Sequence, residues 1–146
     1  MFRGNHPTRV DEKGRMKVPS EFKRLIDEKY GTQFYITSVD GKVAQVYPFE
    51  EWQQIEEKLA RLSNFNPAKK KYLNRTNYYG QVVEIDNQGR LLIPSLLRDS
   101  AEIKGDVAVV GMLKYLEVQR IESLKKEIEE NPFSAEDEKT LDELGI

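Results

Sequence analysis

VDEKGRMKVPS, residues 10–20, and IDNQGRLLIPS, residues 85–95, carry one turn twice. Asp11 matches Asp86, Gly14 matches Gly89, Arg15 matches Arg90, Pro19 matches Pro94 and Ser20 matches Ser95, each seventy-five positions on. The apolar slots match in kind: Val10 with Ile85, Met16 with Leu91, Val18 with Ile93. Glycine takes φ > 0 at no steric cost, and aspartate bonds backbone N–H groups two or three residues on. Asp11, Gly14, Asp86 and Gly89 are therefore read as structural residues of two tight turns. A chain that repeats its turn chemistry points to a duplicated folding unit.

Working outward, each copy follows the same plan. A hairpin closes on the turn, Pro19 or Pro94 ends its second strand, and a short helix opens, with Ser20 placed as an N-cap. Phe22, Leu25 and Ile26 give that first helix one apolar side. FYITSV and KVAQVY around Asp40-Gly41 predict a second hairpin, and DVAVV and LKYLEV around Gly111-Met112 repeat it, with Gly105 ending the preceding helix. An amphipathic helix follows each copy. Phe49, Trp52, Ile55, Leu59 and Leu62 form one stripe, and Ile121, Leu124 and Ile128 a shorter one. Asn66-Pro67 reads as an N-cap with Pro at N1, opening a basic helix through AKKKYLNRT. Ser134 with Asp137 reads as a capping box for a last acidic helix. Tyr78 and Tyr79 are placed entering a strand, as cross-strand packing.

Hairpins of strands this short are not stable alone. Two units must cover one another, and a closed β body with internal pseudo-two-fold symmetry and interleaved hairpins also removes exposed edges. The organisation expected is a first repeat over 5–50 with a helical connector over 51–77, a second repeat over 78–122, and a C-terminal helix and acidic tail over 123–146.

The 146 residues are 38% hydrophobic and 33% charged, enough for one core under a heavily charged surface. The absence of cysteine excludes disulfides and thiolate metal sites. MFRGNHPTRV lacks the apolar run of a signal peptide, and no stretch approaches the roughly 20 apolar residues of a membrane span. The expectation is a soluble cytoplasmic chain. The net charge of −2 hides an asymmetry. Residues 1–30 hold eight Lys/Arg against five Asp/Glu, residues 61–98 seven against two, and residues 117–146 four against ten. Both turns lie in basic segments, and the local field over a contact face decides whether a polyanion binds.

Arg15 and Arg90 carry the chemistry. An arginine beside a turn is often solvent filler. Its repetition in both copies, amid other cations, favours binding, because the guanidinium fork bridges phosphate oxygens or reads guanine bidentately where a lysine would not. Arg3, Arg9, Lys13 and Lys17 are expected to gather around the first turn. The second is poorer, with Asn87 and Gln88 in place of Glu12 and Lys13, although amides also donate to phosphate and base edges. Lys69-Lys70-Lys71 with Arg75 is read as a solvated helix face. Enzyme readings lack material: His6 is the one histidine, and no nucleophile–base pair, metal-ligand set, Ca²⁺ loop or phosphate-cradling glycine loop is present. No catalytic residue, metal, cofactor or small-molecule substrate is assigned.

MFRG at the N-terminus, DEKGR-x-x-VPS-x-F, YPFEEW, RLSNFNP and the second D-x-x-GR-LLIP-x-LR resemble the MraZ family, bacterial regulators built from two AbrB/SpoVT-like repeats, from residue 1 to about residue 130. The resemblance implies a mainly β fold with α, a swapped-hairpin β-barrel of tandem AbrB-like repeats with flanking amphipathic helices. It implies ring-shaped homo-oligomers in the nucleoid. It also implies double-stranded DNA as partner, bound at short direct promoter repeats, with repression of the division and cell-wall gene cluster and of the protein's own promoter. The family's binding motif falls on Arg15 and Arg90, with Lys13 nearby. AbrB-like barrels also serve as antitoxin-type modules that grip a partner through a tail, a role open here to residues 132–146.

Overall fold

The computed structural model describes residues 1–146. The first half runs β1 (Thr8–Val10), β2 (Arg15–Lys17), α1 (Ser20–Lys29), β3 (Gln33–Thr37), β4 (Ala44–Pro48) and α2 (Phe49–Ala60). Helix α3 (Pro67–Tyr78) connects to β5 (Gln81–Glu84), β6 (Arg90–Leu92), α4 (Ser95–Ala101), β7 (Gly105–Gly111), β8 (Leu116–Arg120) and α5 (Ile121–Glu130). Helix α6 (Ala135–Asp142) ends the chain.

All eight strands join one antiparallel sheet in the order β5-β3-β4-β8-β7-β1-β2-β6. The two end strands, β5 and β6, are the arms of the second turn, where Asp86 N–H donates to Arg90 O at 2.9 Å. The sheet is therefore a nearly closed barrel. Its register has internal two-fold symmetry. Thr8 pairs with Val107 in the first half's first strand, and the equivalent Val83 pairs with Phe34. Met16 pairs with its own equivalent, Leu91, and Gln45 with its own equivalent, Glu117. The pseudo-axis passes through the middle of each of these two pairs. Each hairpin is completed by a strand of the other half, which is the swapped-hairpin arrangement expected from sequence.

The core fills from both halves by the same rule. Alternate strand residues point inward, and the first helix of each half lays Phe22 and Ile26, or Leu97 and Ala101, across the barrel. Phe2 plugs one end. It bridges Leu113 through paired backbone bonds of 2.7 and 3.0 Å and stacks on Tyr30 at 6.0 Å. Outside the barrel, α2 seats Trp52 against Tyr35, Tyr47 and Tyr72, a second small core. The α2 stripe is covered at its start and opens to solvent by Leu62.

Asn66 caps α3 through Ala68 and Lys69, and Ser134 and Asp137 form the capping box of α6. Three local expectations are corrected. Ser20 is the first helical residue and makes no cap bond, because Pro19 occupies the cap position. Helix α4 ends at Glu102, which turns left-handed at φ 53°, so Gly105 opens β7 instead. Tyr78 and Tyr79 end α3 and meet edge to face at 4.9 Å; they do not enter a strand. No helix is long and apolar enough to cross a membrane.

Candidate nucleic-acid interface

Each Asp-x-x-Gly-Arg segment is a closed five-residue device. In the first, Asp11 N–H donates to Arg15 O at 3.0 Å and Gly14 N–H to Asp11 O at 2.9 Å. The Asp11 carboxylate accepts from the backbone N–H of Lys13 and Arg15 at 3.0 and 2.9 Å, and from Arg15 Nε at 2.8 Å. The second repeats the set: Asp86 accepts from the N–H of Gln88 and Arg90 at 2.8 and 2.9 Å, and from Arg90 Nε at 3.0 Å. Gly14 and Gly89 adopt φ of +87° and +73°, which a Cβ would strain. The Arg15 backbone N–H, partly opposed by burial, and then the Arg15 side chain hold the Asp11 carboxyl below its ordinary value. Asp86 is lowered in the same way, first by the Arg90 backbone N–H.

Sequence reasoning did not anticipate the Asp–Arg bond. It changes what the arginine does. The Nε edge is spent on the turn's own carboxylate, so the guanidinium is held at a fixed angle, while its terminal nitrogens make no hydrogen bond within the chain. Arg15 and Arg90 are 35% and 27% exposed, partly sunk yet open. Part of the ordering cost of a long side chain has already been met by the fold.

Strands β2 and β6 bring the two devices onto one surface. Arg15 lies opposite Leu92, Met16 opposite Leu91 and Lys17 opposite Arg90. Met16 and Leu91 point into the core with no exposed surface, so Arg15, Lys17, Arg90 and Leu92 share the outward face. Lys13 stands exposed at the tip of the first turn. Arg98, another residue not singled out from sequence, lies across Gly14 and donates to Ile93 O at 2.9 Å. Its equivalent, Lys23, passes Gly89 more loosely and pairs with Asp27 at 2.7 Å.

Of the expected cluster, Arg3 stands apart and Arg9 does not. Arg3 lies beside Gly111, at the far end of β7 from Gly105 and the first turn. An extended chain from Arg3 to Asp11 spans roughly 25 Å. Arg9 stands beside Lys17 on the outward face, by the register that pairs Val10 with Met16. It pairs with Asp106 at 3.3 Å at the rim of a cleft of about 1100 Å³ that holds Asp11 and Glu12 of the first turn, the acids Asp99, Glu102 and Glu122, and the cations Arg98, Lys104 and Arg120. That cleft is mixed in charge and offers little to a polyanion. The basic run of α3 is partly structural: Lys69 Nζ donates to Leu62 O and Asn64 Oδ1, tying down the end of α2.

The whole outline of the chain recurs in known proteins. The family model described as "MraZ protein, putative antitoxin-like" matches residues 1–75 and 80–144. A protein of Acidobacterium capsulatum named transcriptional regulator MraZ is 62% identical over 146 residues, covering the whole of both chains. One of the same name from Koribacter versatilis is 63% identical over 147 residues, again covering both in full. A third, from Syntrophobacter fumaroxidans, is 35% identical over 117 residues, 80% of this chain and 77% of its own length. These likenesses span both turns and the strands that bring them together, and the chain belongs to the MraZ family.

Proposed function

We propose that the protein is a sequence-specific DNA-binding transcriptional regulator that presents the outward face of the β2–β6 ribbon to the duplex. The observation that carries this is the pairing of two identical Asp-latched arginines on one two-stranded ribbon, the shape the major groove admits. Arg15 and Arg90 read base edges, and Lys13 and Lys17 hold phosphates. Arg9, beside Lys17 on the same face, joins the phosphate contact, and Arg3 belongs to it only where a bent or second duplex reaches it. The relatives' names support the regulatory role.

The two halves of the ribbon are alike in backbone and unlike in side chains, with Lys13 against Gln88 and Lys17 against Leu92. A protomer of this kind reads a site with direction. Several such protomers in a ring suit direct repeats, and linked weak contacts gain from effective concentration. Ring assembly is supported by charge. Helix α3 carries Lys69, Lys70, Lys71 and Arg75 and no acid, whereas residues 117–146 are strongly acidic, so head-to-tail contacts between copies would be complementary. Repression of the division and cell-wall cluster and of its own promoter completes the reading.

Selection of duplexes from a randomised pool, read at two salt concentrations, tests it. The wild-type chain should enrich a directional motif and lose affinity steeply with salt. Arg15→Ala and Arg90→Ala should each abolish enrichment while leaving the oligomer's mass unchanged; enrichment that survives both overturns the site. An antitoxin-type role has one observation of its own, the exposed acidic helix α6. Removal of residues 132–146 should leave DNA affinity nearly intact.

A further inference from the structure

The outward face of the ribbon holds two cross-strand pairs, Arg15 with Leu92 and Lys17 with Arg90. Val18 N–H donates to Gly89 O at 3.0 Å and Ile93 N–H to Gly14 O at 2.9 Å, just outside these pairs. Both are therefore non-hydrogen-bonded pairs, in which Cα atoms approach to about 4.5 Å and side chains lie closest. The pseudo-axis relates Arg15 to Arg90 and Lys17 to Leu92. Each half thus keeps its arginine, and the residue standing beside that arginine differs.

Leu92 is 50% exposed, between Leu91 and Ile93, which have no exposed surface. A lone exposed leucine needs no explanation in most places. Here it is the apolar member of a cationic face, within cross-strand contact of a latched guanidinium. A duplex that brings one base edge to Arg15 brings the next base pair, about 3.4 Å along the strand, toward Leu92. The major groove offers one apolar group to such a side chain, the C5-methyl of thymine. Lys17, in the equivalent place beside Arg90, offers a donor to guanine or phosphate instead.

We propose that Leu92 is a specificity-determining residue that packs on a thymine methyl next to the base read by Arg15, so that this half of the ribbon selects an A·T pair and the Arg90–Lys17 half does not. The assignment rests on the DNA-binding reading above and goes beyond it by naming the base and the atom.

Deoxyuridine, which lacks only the C5-methyl, provides the test. Duplexes are first selected with the wild-type chain, and each thymine of the recovered site is then replaced singly by deoxyuridine. At one position the wild-type affinity should fall about threefold to fivefold, the share carried by one buried methyl. Leu92→Ala should bind the thymine and deoxyuridine duplexes at that position equally. Leu92→Lys, which makes the two halves alike, should abolish the preference for thymine there. Both variants should melt within a few degrees of wild type, since half of the side chain already faces solvent. A site at which no thymine is sensitive, or sensitivity that persists in Leu92→Ala, overturns the assignment and leaves the DNA reading standing. A wild-type chain that enriches no sequence overturns the DNA reading, and the assignment falls with it.

Discussion

Met16 and Leu91 face each other across the β2–β6 ladder, each wholly buried, and the pseudo-two-fold axis passes between them. They are equivalent residues of the two halves, and in the pairs to either side of them, on the outer surface, stand the two arginines. The core contact that joins the halves therefore also sets the spacing of the candidate binding groups.

Truncation at this point should unfold the molecule and not merely loosen a loop. Met16→Ala and Leu91→Ala should each cost about 2–5 kcal/mol of stability by urea denaturation, the range for large-to-small core changes. The two values should agree closely, because pseudo-symmetry gives the residues equivalent surroundings. A large difference would show that the halves contribute unequally to the core.

The two turn glycines should separate in severity. Gly14 and Gly89 share a left-handed backbone, so an alanine at either should cost about 1–2 kcal/mol. At Gly14 the new Cβ would also meet the Arg98 guanidinium and displace it from Ile93 O, whereas at Gly89 the nearest atom is Lys23 Cε at 3.6 Å. Gly14→Ala should therefore be worse by about 1 kcal/mol, the net worth of one hydrogen bond, in thermal melts.

Acid should unlatch both turns. The Asp11 and Asp86 carboxyls are lowered from 3.8 in the folded chain, chiefly by the backbone N–H of Arg15 and Arg90. A depressed folded value contributes stability above the unfolded value and loses it as pH falls through the folded one. Stability of the wild type should therefore decline as pH drops below about 4. Asp11→Asn with Asp86→Asn should be less stable at pH 7 and should lack the part of that decline which these two groups supply, as read by denaturation across pH 2–7.

Salt dependence should separate phosphate-holding lysines from bystanders. Lys13→Ala and Lys17→Ala should each lower the slope of log affinity against log salt by about 1. Arg3→Ala, remote beside Gly111, should leave the slope unchanged for a single short duplex. A slope that responds to Arg3 and not to Lys17 would move the contact face to the other end of β7.

Much of this was legible in the linear chain. The repeated turn announced itself because its residue types answer a local demand, a left-handed glycine and an N–H-accepting aspartate. Asn66-Pro67 and Ser134-Asp137 were legible for the same reason. Ser20 misled because Pro19 already supplies the cap geometry, and Gly105 because Glu102 takes the left-handed position that glycine usually fills. What remained hidden was long-range. Arg3 is eight residues from Asp11, and only strand pairing with β7 reveals that they lie at opposite ends. The Arg98 cover of Gly14 crosses from one half to the other. Leu92 had a signal, its alignment with Lys17, but the meaning of that difference needed the register that places both beside an arginine.

The interleaving of hairpins also fixes when the protein matures. Strand β4 ends at Pro48, yet its neighbour β8 ends only at Arg120. At about 5–20 residues per second of synthesis, the leading half spends roughly 4–14 s outside or within the ribosome before its last neighbour exists. During that interval its open edges gain their mates β5, β6, β7 and β8 only one after another. A nearby nascent chain in the same state offers an equivalent edge, so the yield of properly closed barrels should depend on how crowded its message is with ribosomes.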